Sequence, residues 1–221
     1  RVAKLTWDRW RWTIGGIADD AGIGDIEYRR VLAIDPDAWP ESLAEFFNSY
    51  YPGTRLIPIK SGNDFQLRGR FVAAELLDRG LQWQYPTTYF LPTITDNFGA
   101  WRGTYYHNGL DLRSSWRRWG DEVLAAIGGQ IIVAGANPNE PWFGQQVRTR
   151  TVLPDGSTVL VRYAHLLVGG IYVKVGDEVV AGQRLGRPGA TGSATGDHLH
   201  IDIKWEGDYA DPEMLIAWPG N

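Results

Sequence analysis

From about residue 82 onward the chain divides into short runs rich in β-branched and aromatic residues, separated by Gly, Pro, Asn and Asp. The runs are GGQIIVAG, QQVRTRTV, STVLVRYAHL, IYVKVGDEVVAG and DHLHIDIKW. Many short strands at this close spacing predict an all-β sandwich or barrel-like sheet. Asp155-Gly156, between two of the runs, is a hairpin signal. In DHLHIDIKW the alternation is strict: His198, His200, Asp202 and Lys204 share one face, and Leu199, Ile201, Ile203 and Trp205 the other. A half-buried strand is expected there, with its apolar side in the core and its histidines on the open face.

Before residue 82 the pattern is helical. Ile14, Ile17, Ala18 and Ala21 have helical spacing and end at Gly22, and Trp39, Leu43, Phe46 and Phe47 repeat it behind Pro40. Tyr51-Pro52-Gly53 reads as a turn and the residues from Arg55 to Ile59 as a short strand; a third helix runs from Asp64 to Arg79 and stops at Gly80. The expected fold is therefore mainly β: an antiparallel-sheet domain over residues 82–221, preceded by a small α-rich region over residues 1–81.

Composition limits the chemistry. Hydrophobic residues make up 43% and charged residues 22% of 221, the balance of an ordinary globular protein. A net charge of -4 argues against a phosphate-tracking nucleic-acid binder. No apolar run is long enough to span a bilayer, so membrane insertion is not expected. There is no cysteine, so any metal must sit on His, Asp or Glu.

All four histidines lie in three short segments, and none occurs in the first 106 residues. HNGLD places His107 four residues before Asp111, and Gly109 favours a strand end or turn there. DHLHIDIKW holds His198 and His200 side by side. VRYAHL places His165 on a strand face with Val161 and Tyr163, opposite Leu160, Arg162 and Ala164. Two histidines and one carboxylate on zinc leave a fourth position for water, the pattern of a catalytic site. The same donors also describe a non-haem iron triad, which would have no use for two further histidines.

Taken in order, these segments resemble the M23 family of zinc metallopeptidases, the lysostaphin-type and LytM-type enzymes that cut peptide links in bacterial peptidoglycan. The likeness runs from about Phe98 to Leu215 and includes FGAWRGTYYHNGLDL, RYAHL, VKVGDEVVAGQRLG, GATGSATGDHLHIDI and ADPEML. It implies a zinc ion (Zn2+) held by His107, Asp111 and His200, with His165 and His198 as the unligated catalytic pair. His198 would be the base and His165 the oxyanion partner, although residue type and spacing do not separate the two. Tyr105 or Tyr106 would add a phenolic donor. The implied substrate is a peptide crosslink of peptidoglycan, and the implied site of action is the cell wall, whether extracellular, periplasmic or phage-associated. Trp142 and Phe143, in the loop GANPNEPWFG, serve equally well as substrate wall or as packing.

Residues 10–59, ending in PGTRLIPI, resemble a LysM peptidoglycan-binding module, though their helix spacing departs from it; a helical cap or docking segment is the alternative. A catalytically silent wall-binding or hydrolase-activator protein would share this fold, and the retained five residues weigh against it. Oligomeric state is not legible.

Overall fold

The computed structural model describes residues 64–81, 83–88, 92–114 and 120–218. The two helices, turn and short strand expected before residue 60, and the LysM-like segment with them, lie outside these residues.

Helix α1 spans Asp64–Asp78. It stops where expected, because Gly80 takes φ 70° and returns its N–H to the Leu77 carbonyl at 2.8 Å. A left-handed glycine just past a helix end satisfies a carbonyl that has lost its helical partner. From the helix, Val72, Ala73 and Leu76 enter the same core as the strands. Fully burying a Val or Leu side chain stabilises a fold by about 1.5–3 kcal/mol. Two ion pairs flank this packing, Arg70 with Asp211 at 3.3 Å and Arg68 with Asp208 at 2.5 Å.

The strands are β1 (Pro92–Asp96), β2 (Leu110–Ser114), β3 (Val123–Leu124), β4 (Gly129–Ala136), β5 (Gln145–Val152), β6 (Thr158–Ile171), β7 (Glu178–Val179), β8 (Arg184–Pro188), β9 (Leu199–Trp205) and β10 (Asp208–Ala210). They form one sheet in the order β1-β2-β9-β6-β5-β4-β7, with β10 beside β9 and β8 joining β3 to β6. Every pairing is antiparallel. The short helix α2 (Pro212–Leu215) follows, capped by the Asp211 side chain on the Glu213 amide. The fold is thus mainly antiparallel β. Asp155-Gly156 turns β5 into β6, with Gly156 at φ 83° and the Leu153 amide bonded to the Ser157 carbonyl at 2.9 Å.

Two local readings are corrected. IYVKVGDEVVAG is not one strand: Gly176 takes φ 94° in a turn, the Asp177 carboxylate accepts from the Lys174 amide, and only Glu178–Val179 pair in β7. The polar face of β9 is not open either, since His200 and Asp202 are each 3% exposed. β9 is flanked on both sides by β2 and β6, and the Phe143 ring from the 3-10 turn Pro141–Phe143 lies 5.4 Å from the His200 ring. The alternation itself holds. Leu199, Ile201 and Ile203 face the core, where the Tyr163 hydroxyl accepts from the Ala126 amide at 2.7 Å.

Candidate metal centre and its cleft

Register brings the first two side chains together. In the β2–β9 pair Asp111 stands directly opposite His200, and on the other flank Ala164 of β6 faces His200 with only a methyl group. His107 arrives from the hairpin before β2, which closes through the Trp101–Tyr106 bridge, the His107 amide on the Ala100 carbonyl at 2.8 Å, and the Gly99 amide on the His107 carbonyl at 2.7 Å. Gly109 lets this approach happen: a Cβ there would sit 2.6 Å from Cε1 of His200 and 2.5 Å from the Ile201 carbonyl.

Each ring's outer nitrogen fixes what its inner nitrogen offers. His107 Nδ1 donates to the Asn97 carbonyl at 2.9 Å, which leaves Nε2 bare. His200 Nε2 donates to Asp202 Oδ2 at 3.2 Å, which leaves Nδ1 bare. These two lone pairs are 3.0 Å apart, and Asp111 Oδ1 lies 2.8 Å from His200 Nδ1 and 3.3 Å from His107 Nε2. Three donor atoms converging in a buried pocket are held together by a shared proton or by a cation, and imidazole with carboxylate suits zinc. The donor set therefore fits the metal. Burial alone would raise the Asp111 pKa, but hydrogen bonds from His107 and His200 hold it far below the usual carboxylate range, so its oxygens are ionised and available to a cation. Burial alone would lower the His200 pKa, yet its bonds to Asp111 and Asp202 raise it above the ordinary histidine value, so a proton competes with a metal for Nδ1.

The other two histidines stand beside this group with rings 4.7 Å apart. His198 Nδ1 donates to the Gly196 carbonyl at 2.8 Å, and its Nε2 lies 3.8 Å from Asp111 Oδ1. His165 reaches the site by an irregularity that strict alternation does not foresee. Val147 pairs with Tyr163 and Gln145 with Leu166, so β6 carries one extra residue across this step, and His165 takes φ 62°. Such a bulge re-aims a side chain. His165 turns from the Tyr163 face to the cleft face, where Arg162 also points. Its Nδ1 donates to the Thr191 carbonyl at 2.9 Å, and burial, with the charges of His200 and His198, pushes its pKa down to about 4.

The glycine-rich run before β9 makes that anchor possible. Gly144 at φ 61° and Gly192 at φ 74° lie back to back, so a side chain on either would meet the Thr191 or Trp142 backbone. The Thr191 hydroxyl accepts from the Gln145 amide and donates to the Leu166 carbonyl.

All five residues open on one cleft of about 800 Å³, within the range of small-molecule and peptide sites. Tyr105, Tyr106, Trp142 and Phe143 line it, and so does Phe65 of α1, which stacks on Tyr106 at 5.7 Å. Three residues with a bearing on the site escaped the sequence reading. Arg102 donates to Asp111 Oδ2 at 2.8 Å and to Asp96, so Asp111 turns only Oδ1 inward. Asp202 and Arg162 lie behind His200, with Arg162 Nε 3.5 Å from Asp202. Alternation along β9 had placed Asp202 on the histidine face; no sequence signal marked Arg102.

Residues 105–212 match the model of Peptidase family M23. The peptidoglycan DD-endopeptidase ShyA of Vibrio cholerae serotype O1 is 36% identical over 97 residues, 44% of this chain and 20% of that protein. The peptidoglycan DD-endopeptidase ShyC of the same organism is 27% identical over 177 residues, 78% of this chain and 36% of its own length. The chain thus spans about a fifth to about a third of these relatives. The catalytic domain of lysostaphin from Staphylococcus simulans is 29% identical with a TM-score of 0.45, covering 54% of this chain and 88% of that domain.

Proposed function

We propose that this chain, whose residues 105–212 match Peptidase family M23, is a zinc-dependent endopeptidase that hydrolyses peptide crosslinks of bacterial peptidoglycan. The observation that supports this most is the convergence of His107 Nε2, Asp111 Oδ1 and His200 Nδ1, with two further imidazoles opening on the same cleft. The M23 match and the resemblance to two proteins named as peptidoglycan DD-endopeptidases support the substrate class. Action on the cell wall, outside the membrane or in the periplasm, follows from that substrate.

His107, Asp111 and His200 would hold the metal. Bound zinc supplies Lewis acidity, polarising a carbonyl and making water acidic at neutral pH. His165 and His198 would move the protons. In the neutral form each holds its hydrogen at Nδ1 against a backbone carbonyl, so each has a bare Nε2 to accept a proton. His198 is proposed as the base, since its Nε2 lies near Asp111 Oδ1. Donation to an oxyanion requires a proton on His165 Nε2, against the burial that lowers its pKa. The donor role therefore falls to whichever ring has taken up the proton. Exposed Trp142 and Tyr105 would contact the peptide on either side.

Residues 1–81 are proposed as an α-rich region with a wall-binding or capping role. Within it, Val72, Ala73 and Leu76 of α1 pack into the core that the strands form.

The test is release of new amino groups from purified peptidoglycan, before and after chelation and zinc restoration. Release that stops on chelation and returns with zinc is expected. Release indifferent to chelation, or restored by iron with oxygen consumption, would overturn the reading.

A further inference from the structure

Behind the candidate ligand His200 lies a buried ionic chain that neither packing nor the proton steps require. His200 Nε2 meets Asp202 Oδ2 at 3.2 Å, and Asp202 is itself 3.5 Å from Arg162 Nε across the β6–β9 register. Arg162 Nη2 donates to Glu140 at 2.8 Å, and its guanidinium lies 3.7 Å over the Phe143 ring. Glu140 also accepts from Arg148 at 2.6 Å and from Asn137 at 2.8 Å. Arg162 and Asp202 are 4% and 3% exposed. Burying two charges costs several kcal/mol per ion, and a hydrophobic pair of similar volume would often stabilise the strand pair as well or better. Their placement behind one imidazole is therefore better explained by what they do to that imidazole.

We propose that Asp202 is a positioning residue for the metal site. Its carboxylate holds the proton of His200 on Nε2 and so turns a bare Nδ1 toward His107 and Asp111. Arg162, bonded to Glu140, faces that carboxylate as an ion pair at 3.5 Å and favours its charged form. A neutral imidazole has one proton to place between two nitrogens; the carboxylate accepts only, so it decides which nitrogen carries it. An anion behind the ring also makes the inner nitrogen a stronger donor to a cation, and such outer partners are typically worth about 10–100-fold in metal affinity. The same chain connects His200 to the turn that carries Trp142 and Phe143, so the cleft wall and the ligand share one support.

This inference rests on the zinc reading of the site, and two measurements separate the outcomes. The first is the zinc dissociation constant of the full chain and of Asp202→Asn, by competition with a chromophoric chelator, alongside the thermal midpoint of each metal-free protein. Asp202→Asn keeps the shape of the side chain while removing its charge. A rise of about 10–100-fold in the constant is expected, with the metal-free midpoint little changed. The second is the tautomer of His200 in the unmutated chain, read from imidazole nitrogen chemical shifts. Protonation at Nε2 is expected. Unchanged zinc affinity in Asp202→Asn, or protonation at Nδ1 in the zinc-loaded wild type, would overturn the proposal. Should Asp202→Asn fail to fold, the wild-type tautomer decides alone. A wild-type chain that binds no zinc contradicts the underlying metal reading instead.

Discussion

His165 takes part in the site because a single residue leaves the β conformation. Without the extra residue at that step of β6, its ring would lie on the Tyr163 side, in the core, and not beside His198. Non-glycine residues at positive φ are uncommon and carry a cost that surrounding structure must offset. Here the Thr191 carbonyl holds the ring in place. A second residue with an outsized effect has no side chain. Gly109 leaves space that the His200 ring fills, so Gly109→Ala is expected to cost about 1–3 kcal/mol by overpacking and to weaken zinc retention. Denaturant unfolding of the metal-free protein and a zinc titration check this; unchanged values in both would show that the His200 ring and the Ile201 backbone can both give way. The HNGLD and HLH segments were legible as candidates because residue type and spacing carry the chemistry. The bulge at His165 was not, since alternation assumes a regular strand. Arg102 and Glu140 were not, because nothing in their neighbourhood marks a surface arginine or glutamate as the partner of a buried group.

At the level of elements, the strand pattern was readable wherever alternation met turn residues, as in β5 and β6 around Asp155-Gly156. It failed in IYVKVGDEVVAG, where four valines suggest a strand but Gly176 and Asp177 impose a turn. It also mistook β9 for a half-exposed strand, because two-sided burial depends on neighbours that a local pattern does not contain. The β5–β6 turn gives a pH dependence. Hydrogen bonds from the Ser157 hydroxyl, from Arg79 and from the Ser157 amide hold the Asp155 carboxyl below the usual range. A carboxylate with a depressed folded pKa stabilises the fold above its unfolded value of about 3.9, and that contribution is lost as the pH falls through the folded value. The difference in thermal midpoint between the wild type and Asp155→Asn should therefore be full at neutral pH and shrink below about pH 4. A difference that stays constant down to pH 2 would contradict it. Arg79 also ties the end of α1 to this turn, at 2.8 Å from Asp155.

For the molecule as a whole, α1 matters more than its place before the β-rich part suggests. Its Val72, Ala73 and Leu76 complete the core, and Phe65 lines the cleft while stacking on Phe98 at 5.0 Å and on Tyr106. The change of pattern near residue 82 was visible in the sequence, but the docking of α1 was not, because a helix's partner surface is set by tertiary contacts far along the chain. A chain trimmed to begin at residue 82 should lose several kcal/mol of stability, as large buried side chains removed from a core cost about 2–5 kcal/mol each. Its thermal midpoint is to be compared with that of a chain trimmed to begin at residue 63, which keeps α1. Equal midpoints in the two would mean that α1 is dispensable to the core.

The division of labour among the four histidines and Asp111 is tested most directly by measuring zinc content and peptidoglycan hydrolysis on the same samples of His107→Ala and His198→Ala. His107→Ala should lose both metal and activity. His198→Ala should retain about one zinc per chain while hydrolysis falls by about 10²–10⁴-fold, the usual contribution of a positioned base. Near wild-type hydrolysis in His198→Ala, or full zinc occupancy in His107→Ala, would contradict the assignment.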